Sequence, residues 1–532
     1  MSFPPGSVLR SVRDPRKWGV HEHYFGERTR STVSMADPNQ LPPVYKSTRA
    51  KRPGGGGAKL GGAICRIKTF ARAFDLLRPY NTSQSASGVG TGFVLDAVQI
   101  PGGGLAVVTA YHVVDHAVRI LVSIDEHSAE PVLSELVLYD HILDIAVLRV
   151  PIAPPPSIVP LAAGDSDVVA PNHQVQALGY ALGADILQFT VGYISGRTPE
   201  SLQLDAAING GNSGGPLTNM QTGEVIGIVT SGYNSSDAQN VNYATPIVEA
   251  LQSIRHLMGV LEAGGAAPAS RPQLSLNASF DACSTSVVEA LGAPRGAYCR
   301  HVHMRSELHA AGMREGDVLC RIGLGADRGY DVDLQGRIQP DWWTADALPL
   351  KSVLYRANPD DMVHVAFWSV RRRALVDARV AVKPNLSTFR LLDLEKGEAP
   401  YSVRGGLVVQ PMHAHILKHH SGFQKRFGML FERPHRKVDS LLVVTYVCPE
   451  TPFTKMDTVG IGDIVTHVNG APTMTLSAYE EAWRHAVDGV DADACVVLGF
   501  YDARIAAATV AEVRIADAAL AKEMDKGTSA KK

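Results

Sequence analysis

The run "DAAINGGNSGGPL" (residues 205–217) sets one hydroxyl, Ser213, between Gly210–Gly211 and Gly214–Gly215, with Pro216 closing the run. Glycine loses more backbone freedom on folding than any other residue, so glycines on both sides of one small side chain weaken any helix or regular strand. Such a stretch becomes ordered only as a tight turn held from outside. What it offers in return is chemical: an exposed serine, and room for a substrate backbone beside it. A serine hydroxyl is a poor nucleophile near neutral pH and needs a base, which itself needs an orienting group. The oxyanion formed on attack needs N–H donors aimed at it. A glycine turn can supply these from the backbone of Gly211 and Ser213, with Asn212 between them.

The base is expected to be a histidine. Of 19 histidines, His112 in "VVTAYHVV" stands at the end of an apolar strand. The orienting acid is expected at Asp144 in "HILDIAVLRV", between apolar residues, because a buried carboxylate without a partner is costly. Asp140 is a rival orienter, ranked lower because its neighbours Tyr139 and His141 suggest an exposed loop. His116 is read as a surface residue.

At 532 residues the chain is too long for one core, and about three to four domains is the starting expectation. A formal net charge of -2 gives no global field that would favour nucleic acid or an anionic membrane. No apolar stretch is long enough for a membrane-spanning helix, and no apolar leader follows the first Met. The six cysteines are scattered, with no CxxC pair; free thiols are expected, which favours an intracellular setting, with organellar targeting by the N-terminal arm left open. Residues 1–60 read as a disordered, mildly basic arm.

From 61 to 261 short apolar runs ("GTGFVLDAV", "GLAVVTAYHVV", "DIAVLRV", "QFTVGYISG", "EVIGIVTSG") alternate with turn residues. That pattern suggests a sandwich or a pair of barrels. "ATPIVEALQSIRHLMGVL" then carries helical spacing at Ile247, Leu251, Ile254 and Leu257 after Pro246. Residues 262–273 read as a linker. Two later stretches echo each other, "SELHAAGMREGDVLCRIG" and "TPFTKMDTVGIGDIVTHVNG", each leading through Gly-Asp (Gly316-Asp317, Gly462-Asp463) into a strand. They suggest two copies of one β-rich module, 274–384 and 385–500, followed by an extension (501–532) that frays into disorder. His415 and His419 in "MHAHILKHH" have helical i,i+4 spacing, but a solvated cluster outranks a metal site there; no metal is expected.

"VVTAYHVV", "LDIAVLRV" and "LDAAINGGNSGGPL", in that order, resemble the His, Asp and Ser motifs of the HtrA/Deg serine proteases, and the two echoes resemble their PDZ domains. "GGLVVQP" followed by "LLVVTYVCPETPFTKMDTVGIGDIVTHVNG" resembles the divergent second PDZ domain of plant-type Deg enzymes. The resemblance implies a mainly β chain: a chymotrypsin-like double β-barrel protease domain, then two PDZ-like α+β domains. It implies an ATP-independent endopeptidase without cofactors, acting on unfolded or damaged proteins or peptides, assembled as trimers or multiples of them. The stretch 68–87, with Phe70, Phe74 and Tyr80, is expected to precede the first protease strand and to form that assembly contact. A weak protease acting as a holdase, or a PDZ scaffold on an inert protease fold, are the other classes the motifs allow.

Within that resemblance Ala207 stands at the floor of the specificity pocket, with Thr230, Ser231 and Gly232 on its wall. An uncharged floor implies small or medium apolar P1 residues. Asn212 replaces the aspartate that pairs with a newly cut N-terminus in chymotrypsin-like zymogens, so activation by loop ordering is expected instead. Tyr111 brings bulk where the family has a small residue, and Gly210 replaces a common proline. The backbone near Gly405–Leu407 is expected either to offer N–H groups to a peptide carboxylate or to belong to a module used only for packing between subunits. Trp342 and Trp343, in a long insert, mark either an interface or a local core.

Overall fold

A computed structural model describes residues 61–529, apart from 73–74, 82–84, 125–129, 233–240, 326–328, 344–346, 387–398, 456–457, and 414–440 except Ile416 and Phe423. The N-terminal arm, Phe74, His415 and His419 lie outside the described residues.

Two closed barrels carry the first part of the chain. The first is built from β1 (Ile64–Arg72), β2 (Ser85–Phe93), β3 (Leu105–Thr109), β4 (Ala117–Ser123), β5 (Val132–Asp140) and β6 (Ile145–Val150). Pairing runs β1–β2–β3–β6–β5–β4 and returns to β1, so no edge is left open. β3 and β6 are rich in Val, Ile and Leu and almost wholly buried, as strands covered on both faces should be. Ile67, Phe93, Val107, Leu138 and Val147 meet inside. The second barrel comprises β7 (Gln174–Gly179), β8 (Gln188–Thr198), β9 (Ser201–Leu204), β10 (Pro216–Asn219), β11 (Val225–Gly232) and β12 (Asn242–Pro246), closed around Val175, Leu202, Leu217 and Val229.

Pro246 then caps a helix, Ile247–Glu262, in keeping with proline's preset φ and missing N–H at a helix start. Its Ile247, Leu251, Ile254 and Leu257 are buried against the first barrel. The stretch beyond is not a free linker throughout. Ala269–Ser270 adds to β5 as a short parallel strand, and Arg271, 2% exposed, follows it into the core.

The two sequence echoes fold alike in detail. Gly316 and Gly462 have φ of +95° and +94°. The buried Asp317 accepts Arg314 N–H at 2.9 Å, and the buried Asp463 accepts Gly460 N–H at 2.8 Å. Each aspartate's carbonyl then receives an amide from the neighbouring strand, from Cys299 and Val444, both at 2.8 Å. These turns belong to two separate sheets, one centred on Val318–Leu324 and the other on Ile464–Val468. The second sheet continues past residue 500: Ile505–Thr509 pairs with Cys495–Phe500, and a helix, Val510–Ser529, buries Val510, Val513 and Leu520.

Both C-terminal units dock on the barrels. Trp343 is buried under the Arg197 guanidinium of β8, Arg356 lies over Trp342, and Asp167 pairs with both arginines. The tryptophan pair is therefore an internal interface. The β1–β2 connection reaches the second unit, where Leu76 and Leu77 carbonyls accept from Gln410 and Thr445. This corrects the expectation that 68–87 precedes the first strand. Phe70 lies within β1, which begins at Ile64, and Tyr80 packs on Tyr401 of the same chain. Among the described residues all six cysteines are free, and no helix is long and apolar enough to cross a membrane.

Candidate active site

The three motifs converge at the junction of the barrels. His112 sits in α1 (Tyr111–Val114), one turn that follows β3 directly. Asp144 ends the β5–β6 turn with φ of +55°, a left-handed conformation that aspartate tolerates better than most side chains. Its carboxylate faces His112 twice: Oδ1 accepts the His112 backbone N–H at 2.9 Å, and Oδ2 lies 2.7 Å from Nδ1. With Nδ1–H donated to the carboxylate, Nε2 is left as the basic nitrogen. The imidazole is half exposed, whereas Asp144 is mostly covered.

The turn that fixes Asp144 is built by Asp140. Its carboxylate accepts Ile142 N–H at 2.9 Å and Leu143 N–H at 3.1 Å, receives the Ser253 hydroxyl at 2.8 Å, and pairs with Arg271 at 3.2 Å. Asp140 is 1% exposed, not in a surface loop. Burial alone would push its carboxyl up; the charges of Arg271 and His141, the Leu143 amide and the Ser253 hydroxyl outweigh this and hold it below the ordinary range. Thr245 of the second barrel donates to the Leu143 carbonyl at 2.7 Å, tying this turn across the junction. Sequence alone misplaced Asp140 because Arg271 and Ser253 lie far along the chain.

Ser213 lies on the β9–β10 connection, half buried. The glycines around it differ sharply. A Cβ on Gly214 would stand 2.1 Å from Thr109 Oγ1 and 2.8 Å from Ala110 N, so the serine turn packs directly on the strand end that leads to His112. One on Gly211 would meet the Tyr180 carbonyl at 2.2 Å, and one on Gly215 the Leu178 carbonyl at 2.1 Å. Gly211 and Gly214 also have φ of +98° and +84°. Gly210, by contrast, has open space. Gly214 N–H and the Gly215 carbonyl stitch the turn to Val229 of β11. Asn212 is buried and its N–H closes the turn onto the Asn209 carbonyl at 3.1 Å. Among the described residues, the N–H groups of Gly211 and Ser213 have no protein acceptor.

Tyr111 does not crowd this turn; it stacks on Tyr139, ring centroids 4.6 Å apart. Ala207 is exposed. Thr230 is buried, its hydroxyl donating to the Tyr243 carbonyl at 3.3 Å, and Ser231 and Gly232 pair with Tyr243 and Asn242. Asp205, two residues before Ala207, accepts the Tyr193 N–H at 2.6 Å. In the second C-terminal unit, Gly405 N–H is already engaged, donating to Asp517 Oδ1 at 2.6 Å. His116 is partly covered and lies 3.3 Å from Asp115.

Sequence reasoning missed one residue at the centre of this geometry. Thr91 of β2, fully buried, donates its N–H to the Ser213 carbonyl at 2.9 Å and its hydroxyl to the Gly211 carbonyl at 2.7 Å. A signal was available in "GTG", 90–92. A Cβ on Gly90 would strike Val113 at 2.4 Å and one on Gly92 would strike Val107 at 2.6 Å, so both flanking glycines mark a tightly packed threonine.

Two six-stranded barrels with a histidine–carboxylate pair and a serine turn at their junction define a trypsin-like peptidase domain. The trypsin-like peptidase domain family matches residues 90–228. Putative serine protease HhoB of Synechocystis sp. is 31% identical over 295 residues, 51% of this chain and 65% of that protein. Protease Do-like 1, chloroplastic, of Arabidopsis thaliana is 33% identical over 177 residues, 29% of this chain and 39% of that protein. Among solved structures, HtrA-type protease AlgW with decapeptide aligns with a TM-score of 0.44 and 22% identity, over 62% of this chain and 97% of that one. The chain thus carries a trypsin-like peptidase domain and is similar, over the stretches matched, to serine proteases of the HtrA/Deg type. It spans less than two thirds of the length of both of these curated relatives.

Proposed function

We propose that this chain is an ATP-independent serine endopeptidase that cleaves unfolded or damaged proteins. Ser213 attacks the peptide carbonyl, His112 Nε2 takes its proton and returns it to the leaving amine, and Asp144 holds the imidazole and balances its charge. The amides of Gly211 and Ser213 receive the oxyanion. Ala207, with Thr230, Ser231 and Gly232, forms an uncharged pocket for a small or medium apolar P1 side chain. The observation that carries this reading is the double contact from Asp144 to His112, made beside a serine turn whose Gly211 and Ser213 amides have no protein acceptor among the described residues.

The units 274–384 and 385–500 act as PDZ-like domains, and the chain assembles as a trimer or a multiple of one. For the second unit a packing role is favoured over peptide capture, because Asp517 already holds the Gly405 amide. Digestion of fluorescent casein without ATP tests the whole reading. Wild type should degrade it and Ser213→Ala should not; equal digestion by the two would overturn the assignment.

A further inference from the structure

The Ser213 turn presents four successive carbonyls, and each is held. Gly210 O accepts from Leu182 N, Gly211 O from the Thr91 hydroxyl, Asn212 O from Gly215 N, and Ser213 O from Thr91 N. A peptide unit is planar, with its N–H opposed to its C=O. Fixing the carbonyls therefore fixes the direction of every amide in the turn. Thr91 alone supplies two of the four donors, and its side chain supplies one of them. The hydroxyl also accepts Tyr180 N–H at 3.0 Å, and the Thr91 carbonyl receives the Thr109 hydroxyl at 2.7 Å. The residue is thus saturated with hydrogen bonds from three directions and has no freedom to turn.

We infer that Thr91 is a positioning residue for the oxyanion-binding turn. Its hydroxyl locks the Gly211–Asn212 peptide, the unit between the two amides proposed to receive the oxyanion. Without it that peptide is held only through the Asn212 N–H on the Asn209 carbonyl at 3.1 Å, and the glycine at its start adds no side-chain restraint, so it is freer to rotate. Rotation would redirect the amides on either side while leaving Ser213, His112 and Asp144 in place. Thr91 touches neither substrate nor the reacting atoms, so its effect runs through the turn. This inference rests on the endopeptidase reading.

The test compares Thr91→Val, which keeps the shape and loses the hydroxyl, with Thr91→Ser, which keeps the hydroxyl and loses the methyl that faces Gly215. Kinetic constants are read on fluorescent casein with the full chain, beside thermal melts. Thr91→Val should lose about tenfold or more in kcat with KM within about twofold, since an oxyanion contact acts in the transition state and not in binding. Thr91→Ser should stay within about threefold of wild type, as rescue by the hydroxyl requires. Should Thr91→Val fail to fold, Thr91→Cys replaces it: a thiol is a weaker donor, so its kcat should fall below that of Thr91→Ser. Wild-type kcat in the valine variant, or serine and cysteine variants that match, would overturn the inference while the wild type remains active. A wild type that never cleaves casein overturns the endopeptidase reading, and this inference with it.

Discussion

The glycines around Ser213 and the pair Gly405–Gly406 are made of similar backbone. Both turns enter the left-handed region, and the sequence pattern points to both as places where a backbone amide meets a carboxylate or an oxyanion. Their surroundings differ. Around Ser213 the carbonyls are bound and, among the described residues, the amides of Gly211 and Ser213 have no acceptor. At Gly405 the amide is filled by Asp517, from a helix more than a hundred residues further along the chain. Glycine spacing thus reports that a backbone is bent and closely packed. It does not report whether the resulting donor faces solvent or another part of the same chain.

Alanine at the crowded glycines should separate the two turns most strongly. In Gly214→Ala the new methyl would meet the Thr91 carbonyl at 2.2 Å and Thr109 Oγ1 at 2.1 Å, in a backbone conformation that disfavours a side chain. We expect a loss on the order of 3 kcal/mol or more, read as a fall in the unfolding temperature of the barrels, together with loss of casein cleavage. In Gly406→Ala the three nearest obstacles are all Thr451 side-chain atoms, the methyl at 2.2 Å and the Cβ at 2.6 Å among them, and φ is left-handed as at Gly214. That change should destabilise by roughly 1–3 kcal/mol yet leave cleavage within about threefold, since it lies outside the barrels. Equal losses in the two variants would remove the distinction between them.

Asp517 gives a pH-dependent test. Burial raises its carboxyl above the usual value, and the Gly405 amide and Arg404 charge only partly oppose this. A carboxyl that binds its proton more tightly in the native protein contributes stability that is complete below its unfolded pKa and is lost as pH rises through the folded one. Asp517→Asn keeps an oxygen for Gly405 and removes the charge. Its unfolding temperature at about pH 7 should equal or exceed that of wild type by a few degrees, with the difference closing near pH 4. An Asn variant less stable at neutral pH would show that the charge is wanted there. Asp140 has the opposite sign: its lowered carboxyl contributes above the unfolded pKa and is lost as pH falls through the folded one.

Gly210→Ala should do least. No atom lies within 4 Å of the added Cβ and φ is outside the left-handed region. Stability should move by less than about 0.5 kcal/mol and cleavage should be retained. A large loss would mean that the open face of the turn needs freedom as well as space.

The strands, the helix after Pro246 and the Gly-Asp turns were legible because their signals are local: apolar runs, helical spacing and a fixed Asp-to-amide reach. The pairing of His112 with Asp144 was also legible, since a carboxylate flanked by Leu143 and Ile145 needs a partner. What the sequence hid depends on distant partners. Asp140 looked exposed because Arg271 comes from a stretch whose composition reads as a linker. Gly405 looked available because nothing near it predicts Asp517. Tyr80 looked like surface for another chain, and the Trp342–Trp343 pair like either an interface or a local core; the ring contacts described for both lie within this chain.

The central claim is that His112 and the turn amides activate Ser213, and covalent labelling tests it most directly. A fluorophosphonate probe added to the full chain, with the modified residue located by mass spectrometry, should mark Ser213 alone. Labelling should vanish in Ser213→Ala and slow by roughly 100-fold or more in His112→Ala. Modification at another residue, or an undiminished rate in His112→Ala, would contradict it.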